Sequence, residues 1–316
     1  MSQPLSRRAF LTQSAAVVGT AGLVGAQDAP RPLFEISLAQ WSHNKAFFGR
    51  GGVAKKDPLE FAEIAKTQYD ISAVEYVNQF YREKKTDQNY LRDLKKVADD
   101  NRVRSVLIMC DGEGNLGNPD EKARITAVDN HKRWVEWAKF LGCHSIRVNA
   151  ASDWNRGFEE TQKLAADGLR RLTEFAGTHE INVIVENHGG LSSHGGWLAG
   201  VMRLVNLPRC GTLPDFGNFN IGKVTGIEMT SYDRYRGVDE LMPFAKGVSA
   251  KSHDFNAEGN ETATDYRRML DIVLNKHRFR GFIGIEYEGG RLSEADGIRA
   301  TKRLLETVRT EMAAKK

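Results

Sequence analysis

Phe282-Ile283-Gly284-Ile285-Glu286 puts a carboxylate at the end of an apolar run. Such a run reads as a strand buried on both faces, where an unpaired charge is expensive. Three other runs repeat the arrangement: Asn182–Val185 stops at Glu186, Gly211–Pro214 at Asp215, and Gly247–Ser252 at His253. Four such interruptions, about 30–40 residues apart at the C-terminal ends of successive strand-like runs, are the pattern of a (β/α) barrel with its site at the top.

Four earlier runs, Phe34–Gln40, Ala73–Val77, Arg104–Cys110 and Ser145–Asn149, bring the strand candidates to eight, with the last ones spanning Asn182–Glu186, Gly211–Asp215, Gly247–His253 and Phe282–Tyr287. Helical patterns separate them. Asp57-Pro58 opens one, and Asn118-Pro119 opens another that carries Ile125, Val128, Trp134, Val135 and Ala138 before stopping at Gly142. Phe158–Ala176 spaces Leu164, Leu169, Leu172 and Phe175 along one face, with Gly177 as its stop, and Asp265–Leu274 and Ser293–Val308 continue the theme. Alternating β and α units imply a parallel sheet. No nucleotide-type glycine turn follows the first strand, which favours a closed barrel over a doubly wound sheet. The expected fold class is α/β, a (β/α)8 TIM barrel.

The start of the chain reads as something other than fold. Arg7-Arg8 precedes the uncharged stretch Thr12–Ala26, which ends in the small-residue pattern Val24-Gly25-Ala26. Residues 1–26 are therefore expected to be a twin-arginine export signal, and 27–316 the barrel domain, a protein of the periplasm or secreted. The apolar stretch is too short and too rich in Gly, Ala and Ser to span a bilayer, so no stable membrane insertion is expected once the signal is removed. The remaining stretch of about 290 residues suits one barrel with loop insertions.

Composition narrows the function classes. Net charge is +4, with basic and acidic residues interleaved and no long run of one sign, so neither a nucleic-acid nor a membrane surface is indicated. The three cysteines, Cys110, Cys143 and Cys210, match no disulfide framework or zinc motif and read as free thiols.

Strand parity then groups the chemistry-bearing residues, because side chains two apart share a face. Glu186 shares its face with Ile184 and, if the strand continues, His188; Asp215 goes with Leu213, Glu286 with Gly284 and Glu288, and Lys251 with His253. Glu186, Asp215, His253 and Glu286 make an oxygen-rich set suited to Mn²⁺, Mg²⁺, Co²⁺ or Zn²⁺.

Three segments carry a family resemblance: Val185-Glu186-Asn187-His188-Gly189-Gly190, Pro214-Asp215-Phe216-Gly217-Asn218-Phe219 and Ile285-Glu286-Tyr287-Glu288-Gly289. Together they resemble the xylose isomerase-like TIM barrel family, which includes sugar-phosphate isomerases/epimerases, ketose 3-epimerases, hydroxypyruvate isomerase and endonuclease IV. In its epimerases a divalent metal is held by Glu, Asp, His and Glu from the last four strands. By position the resemblance implies Glu186, Asp215, a residue near His253, and Glu286. The seventh strand departs from the pattern. Relatives carry a ligand three residues before an acid, and anchoring on Asp254 puts Lys251 there, leaving His253 or His188 as the alternative fourth donor. Asn218 stands where ketose epimerases carry a substrate-contacting histidine.

The earlier strands supply candidate substrate-binding groups: His43, Glu75 and Arg147, to which His188 and Asn218 are added from the later ones. Glu75 with Arg147 is one plausible ion pair, and Trp41, Trp154 and Trp197 are candidates for stacking on a sugar ring. With a metal polarising a carbonyl, Glu186 and Glu286 are the expected base and acid on opposite faces of an enediolate, with Lys251 as an electrostatic group or proton donor. This describes a metal-dependent sugar isomerase or epimerase acting on a small carbohydrate. The alternatives are a lyase that expels the aglycone from a keto-glycoside through the same enolate, and a non-catalytic sugar-binding barrel. An endonuclease IV-like phosphodiesterase needs a cluster of zinc ions, for which eight scattered histidines and no basic face are poor equipment. A homo-oligomer is among the expected states of assembly.

Overall fold

The computed structural model describes residues 32–224 and 227–314. The expected export signal lies outside the described residues. All eight strand candidates form strands: β1 Glu35–Ala39, β2 Ala73–Val77, β3 Arg104–Met109, β4 Ser145–Val148, β5 Asn182–Glu186, β6 Cys210–Leu213, β7 Val248–Ser252 and β8 Phe282–Tyr287. Every ladder is parallel, in the order β6-β5-β4-β3-β2-β1-β8-β7. β6 is shorter than expected because Pro214 has no N–H to continue the ladder.

The circle closes between β6 and β7 through two isolated parallel bridges, Thr212 to Ala245 and Asp215 to Ser249. There Ser249 N donates to Pro214 O at 2.9 Å and Phe216 N donates to Ser249 O at 3.1 Å. The seam of the barrel thus runs directly past Asp215.

Parity sorts the side chains as a two-sided strand requires. Ala39, Val77, Leu107, Met109, Ile184 and Leu213 form one apolar cluster inside the barrel. Val183, Val185, Val248, Ala250, Ile283 and Ile285 belong to the larger cluster shared with the helices. The outward set faces helix residues such as Trp134, Leu169, Trp197 and Leu305, all fully buried.

The helices are α1 Asn44–Phe48, α2 Phe61–Tyr69, α3 Gln88–Asp100, α4 Glu121–Leu141, α5 Phe158–Thr178, α6 Gly195–Val205, α7 Arg234–Leu241, α8 Tyr266–Asp271 and α9 Glu294–Ala314. Asp57 caps a short 3-10 turn before α2, and Asp120, not Asn118, caps α4 by accepting from Ala123 N. Gly142 stops α4 with φ 81° as expected. Gly177 does not stop α5, which continues to Thr178; Glu180 takes the positive φ instead. Ile125, grouped with the buried face of α4, is 39% exposed. α8 passes into a π turn, Ile272–Lys276. No described helix is long and apolar enough to cross a membrane.

Candidate active site

β5, β8 and the segment just after β6 bring three acids to one place. Glu186, Asp215 and Glu286 are all buried, and one carboxylate oxygen from each lies within 4.8 Å of the others. They sit at the C-terminal mouth of the barrel, where this fold collects function.

Each acid is held by identifiable donors. Glu186 Oε1 accepts from Asn218 Nδ2 at 2.9 Å, and its Oε2 lies 2.8 Å from Arg147 Nε. That approach is an ion pair without hydrogen-bond alignment, and Glu186 Oε2 has no hydrogen-bond donor. Asp215 Oδ1 accepts from the backbone N–H groups of Gly217 (2.8 Å) and Asn218 (2.7 Å). Its Oδ2 faces Ser249 Oγ at 2.6 Å, and the same hydroxyl lies 2.9 Å from Glu286 Oε2. One hydroxyl carries one hydrogen, so both contacts are satisfied only when one of the two carboxyls is itself protonated.

Two cations balance the acids. Arg147, from β4, is 3% exposed and also binds Asp111 Oδ1 through Nη1 at 2.7 Å. Lys251, from β7, is equally buried, with Nζ 3.7 Å from Glu286 Oε2 and 3.5 Å from Glu288 Oε2. Burial works against both cations, but the surrounding carboxylates outweigh it and hold both above their ordinary ranges: Asp111 and Glu186 around Arg147, Glu286 and Asp215 around Lys251. Burial raises Glu186 to about 7, although Arg147 pulls the other way. Burial likewise raises Asp215 to about 7 against the pull of Lys251. Asp111 is also desolvated, but Arg147 takes it down to about 2. The mouth therefore holds two carboxyls poised near neutrality, Glu186 and Asp215, beside the Asp111 carboxylate that stays ionised.

The remaining sequence candidates divide. Asn218 and Arg147 contact the cluster directly. His188 lies just beyond β5 with part of its surface exposed, and its ring is held below its usual range by lost solvation and then by Arg147. His253, expected as a metal donor, is not in the group: β7 ends at Ser252, and His253 is half-buried in the following loop, its backbone N–H donating to Glu261 Oε1 at 3.2 Å. The β7 side chain beside the acids is Lys251. His43, expected at the substrate, is packed behind the first strand, with Nε2 bonded to Tyr69 Oη at 2.9 Å and Nδ1 3.7 Å from Glu294 Oε2.

Glu75, expected among the substrate-binding groups lining the pocket rim, with a pair to Arg147 as its alternative, lies instead inside the barrel. Ser37 Oγ donates to its Oε1 at 2.6 Å, its Oε2 has no hydrogen-bond partner, and Arg147 pairs elsewhere. Room for this carboxyl comes from Gly284 on β8, where a Cβ would lie 2.6 Å from Glu75 Oε1. Burial raises Glu75 to about 8, so it is protonated at neutral pH. Of the three tryptophans, Trp197 is fully buried with Nε1 bonded to Phe158 O, and Trp154 packs edge-on against it. Trp41 is half-buried, meets Phe48 edge-on and Phe80 at a tilt, and both Trp41 and Phe80 pack on the apolar cluster inside the barrel.

Several residues of the site were not singled out from the sequence. Asp111 comes directly after the apolar run Val106–Cys110, the same signature that marked the later strands. Ser249 shares the inward face of β7 with Lys251. Asn187 ties β5 to β6: its Nδ2 donates to Asp215 O and Asn218 O, each at 3.1 Å, and its Oδ1 accepts from Asp215 N at 2.8 Å. It points away from Glu186 in the strand alternation, and only the three-dimensional fold reveals what it stitches.

A buried set of three carboxylates, with Glu186 Oε2 lacking a donor, fits a hard divalent cation. No curated protein matches the chain in sequence. Solved structures match its fold. A D-tagatose 3-epimerase-like protein is 16% identical, covering 88% of this chain and 100% of its own, with TM-score 0.66. A 3-keto-D-glucoside 4-epimerase from E. coli is 14% identical, covering 87% and 99%, with TM-score 0.64. The IOLI protein with a bound zinc atom is 14% identical, covering 88% and 99%, with TM-score 0.67. At these identities the likeness shows the fold. The model of the xylose isomerase-like TIM barrel family matches residues 61–308, most of the chain and seven of the eight strands, and this protein belongs to that family.

Proposed function

We propose that this protein is a sugar isomerase or epimerase that moves a proton next to a substrate carbonyl, with a divalent cation held by Glu186, Asp215 and Glu286. The observation that carries the reading is the buried convergence of those three acids at the barrel mouth. Similarity to a D-tagatose 3-epimerase-like protein and to a 3-keto-D-glucoside 4-epimerase supports the carbohydrate class. A bound cation would supply charge stabilisation to a carbonyl oxygen and an adjacent hydroxyl as the α-proton leaves.

The protein's own residues do the rest. Glu186, raised to about 7 and fixed by Asn218 and Arg147, is matched to accept and return a proton at neutral pH. Glu286, from the far side of the seam, serves as its counterpart, held by Ser249. Arg147 keeps Glu186 in place, and Asp111 keeps Arg147 in place. Trp41 and Phe80 offer an apolar wall across the mouth for the hydrophobic face of a sugar ring.

Elimination from a keto-glycoside through the same enolate is the second reading, favoured by the buried ammonium of Lys251, whose fixed charge would stabilise a leaving oxyanion. We further propose export by the twin-arginine route, for which Arg7, Arg8 and the stretch to Ala26 are the support. N-terminal sequencing of periplasmic protein checks cleavage after that stretch.

The functional test is incubation of metal-replete protein in D₂O with a panel of ketoses and 3-keto-glycosides. Deuterium at the carbon beside the carbonyl with an isomeric product supports isomerisation or epimerisation, and a free aglycone supports the lyase. Absence of both across the panel would favour a sugar-binding barrel.

A further inference from the structure

A cation entering the acidic triad meets one that is built into the protein. Lys251 Nζ lies 3.7 Å from Glu286 Oε2, and Glu286 is one of the three acids that converge. The β7–β8 ladder pairs Lys251 with Glu286 residue for residue, so the backbone fixes their proximity. The lysine stem also has a corridor: a Cβ at Gly217 would lie 3.0 Å from Lys251 Cγ, so the glycine after the Asp215 loop leaves the stem its room. Lys251 has lost almost all contact with water, and its ammonium cannot turn out to solvent to make way for another charge. Glu288, 3.5 Å from Nζ and not one of the three converging acids, gives it a second acceptor.

From this arrangement we propose that Lys251 sets the metal affinity of the site. Its ammonium competes with a divalent cation for Glu286, so the triad holds its metal loosely and exchangeably. When the metal is absent, the same ammonium neutralises the acids and keeps the mouth folded. A divalent ion bound to Glu286 repels the ammonium, which is then retained by Glu288. This inference rests on the proposed metal site and goes beyond it, because it assigns the strength of binding to one residue that is not a ligand.

The test is calorimetric titration of MnCl₂ into the full chain after chelator treatment and dialysis, with the melting temperature recorded with and without Mn²⁺. Lys251→Met removes the charge at similar length, and Lys251→Gln is the second variant should the first fail to fold. Either is expected to bind Mn²⁺ at least tenfold more tightly than the wild type and to gain more in melting temperature from the metal. Lys251→Arg keeps the charge and is expected to stay within about threefold of the wild type. Affinity in Lys251→Met and Lys251→Gln equal to or below that of the wild type overturns the proposal, as does wild-type protein that keeps stoichiometric Mn²⁺ through chelation. Absence of Mn²⁺ binding in the wild type and the charge-removing variants also overturns it, while deuterium exchange into a ketose by the same samples would leave the isomerase reading standing.

Discussion

Ser249 Oγ lies 2.6 Å from Asp215 Oδ2, so one hydroxyl stands both at the closure of the barrel and on an acid of the proposed site. It reaches Glu286 as well, at 2.9 Å. The hydroxyl therefore couples β6 to β8 across the strand that separates them.

Ser249→Ala removes the hydroxyl that Asp215 Oδ2 and Glu286 Oε2 share. Loss of a buried hydrogen bond that leaves a charged acceptor behind costs about 1–3 kcal/mol. Urea unfolding of the metal-free variant should show that loss, and exchange activity should fall by about tenfold, the equivalent of 1.4 kcal/mol. Unchanged stability and activity would mean that the two acids do not depend on the seam.

Arg147 is the ion-pair partner that Glu186 and Asp111 share. Arg147→Met strands the buried Glu186 carboxylate and the half-buried Asp111, and is expected to cost about 3–5 kcal/mol, read from the urea midpoint. Arg147→Lys keeps the charge but loses the fork that spans both acids. It should recover most of the stability and little of the activity, which separates positioning of Glu186 from folding.

Glu75 gives the stability a pH dependence. Its carboxyl is raised from 4.5 to about 8 by burial, so the folded protein binds a proton that the unfolded chain has released. By linkage, this contribution is fully present below about 4.5 and is lost as pH rises through about 8. Glu75→Gln keeps an acceptor for Ser37 and removes the titration. Its unfolding free energy should fall less than that of the wild type between pH 5 and pH 8.5, by on the order of 1–3 kcal/mol. Parallel curves for the two proteins would contradict the assignment.

Metal addition is expected to stabilise the fold. A ligand at 100 times its dissociation constant stabilises the folded state by about 2.7 kcal/mol, which for a domain of this size is a rise on the order of 5 °C in melting temperature. Mn²⁺ should produce such a rise in the wild type and none in Asp215→Asn, whose amide removes one anionic ligand. A rise of equal size in that variant would place the ion elsewhere.

The barrel was legible because two independent signals agree: apolar runs broken at their ends by Glu186, Asp215 and Glu286, and helical patterns between them with their own caps. Inward and outward faces followed from parity alone, as Ile184 and Leu213 inside and Val183 and Val185 outside demonstrate. Helices α3, α6 and α7 were less visible in the sequence; in α6, Gly195, Gly196 and Gly200 dilute the helical pattern. The site was less legible wherever a side chain's destination depends on the path of the chain beyond the strand. Parity carried His253 inward with Lys251, but the chain turns at Ser252 and takes His253 into a loop. Glu75 read as a rim residue because no sequence rule shows that Gly284, on the last strand of the barrel, opens a space for it in the interior. Asp111 carries the same signature as the later acids, but Asp111-Gly112 also reads as a turn dipeptide, which masks the acid's place at a strand end.

The most direct test is solvent-deuterium exchange by wild type, Glu186→Gln and Glu286→Gln, each first shown to be folded and assayed on the same ketose or keto-glycoside. Proton transfer by the two glutamates predicts label at the carbon beside the carbonyl in the wild type and a loss of at least a hundredfold in each variant, about 2.7 kcal/mol of barrier. Exchange that continues unchanged in both variants would contradict it, because the proton would then be moved by groups other than the acids gathered at the mouth of the barrel.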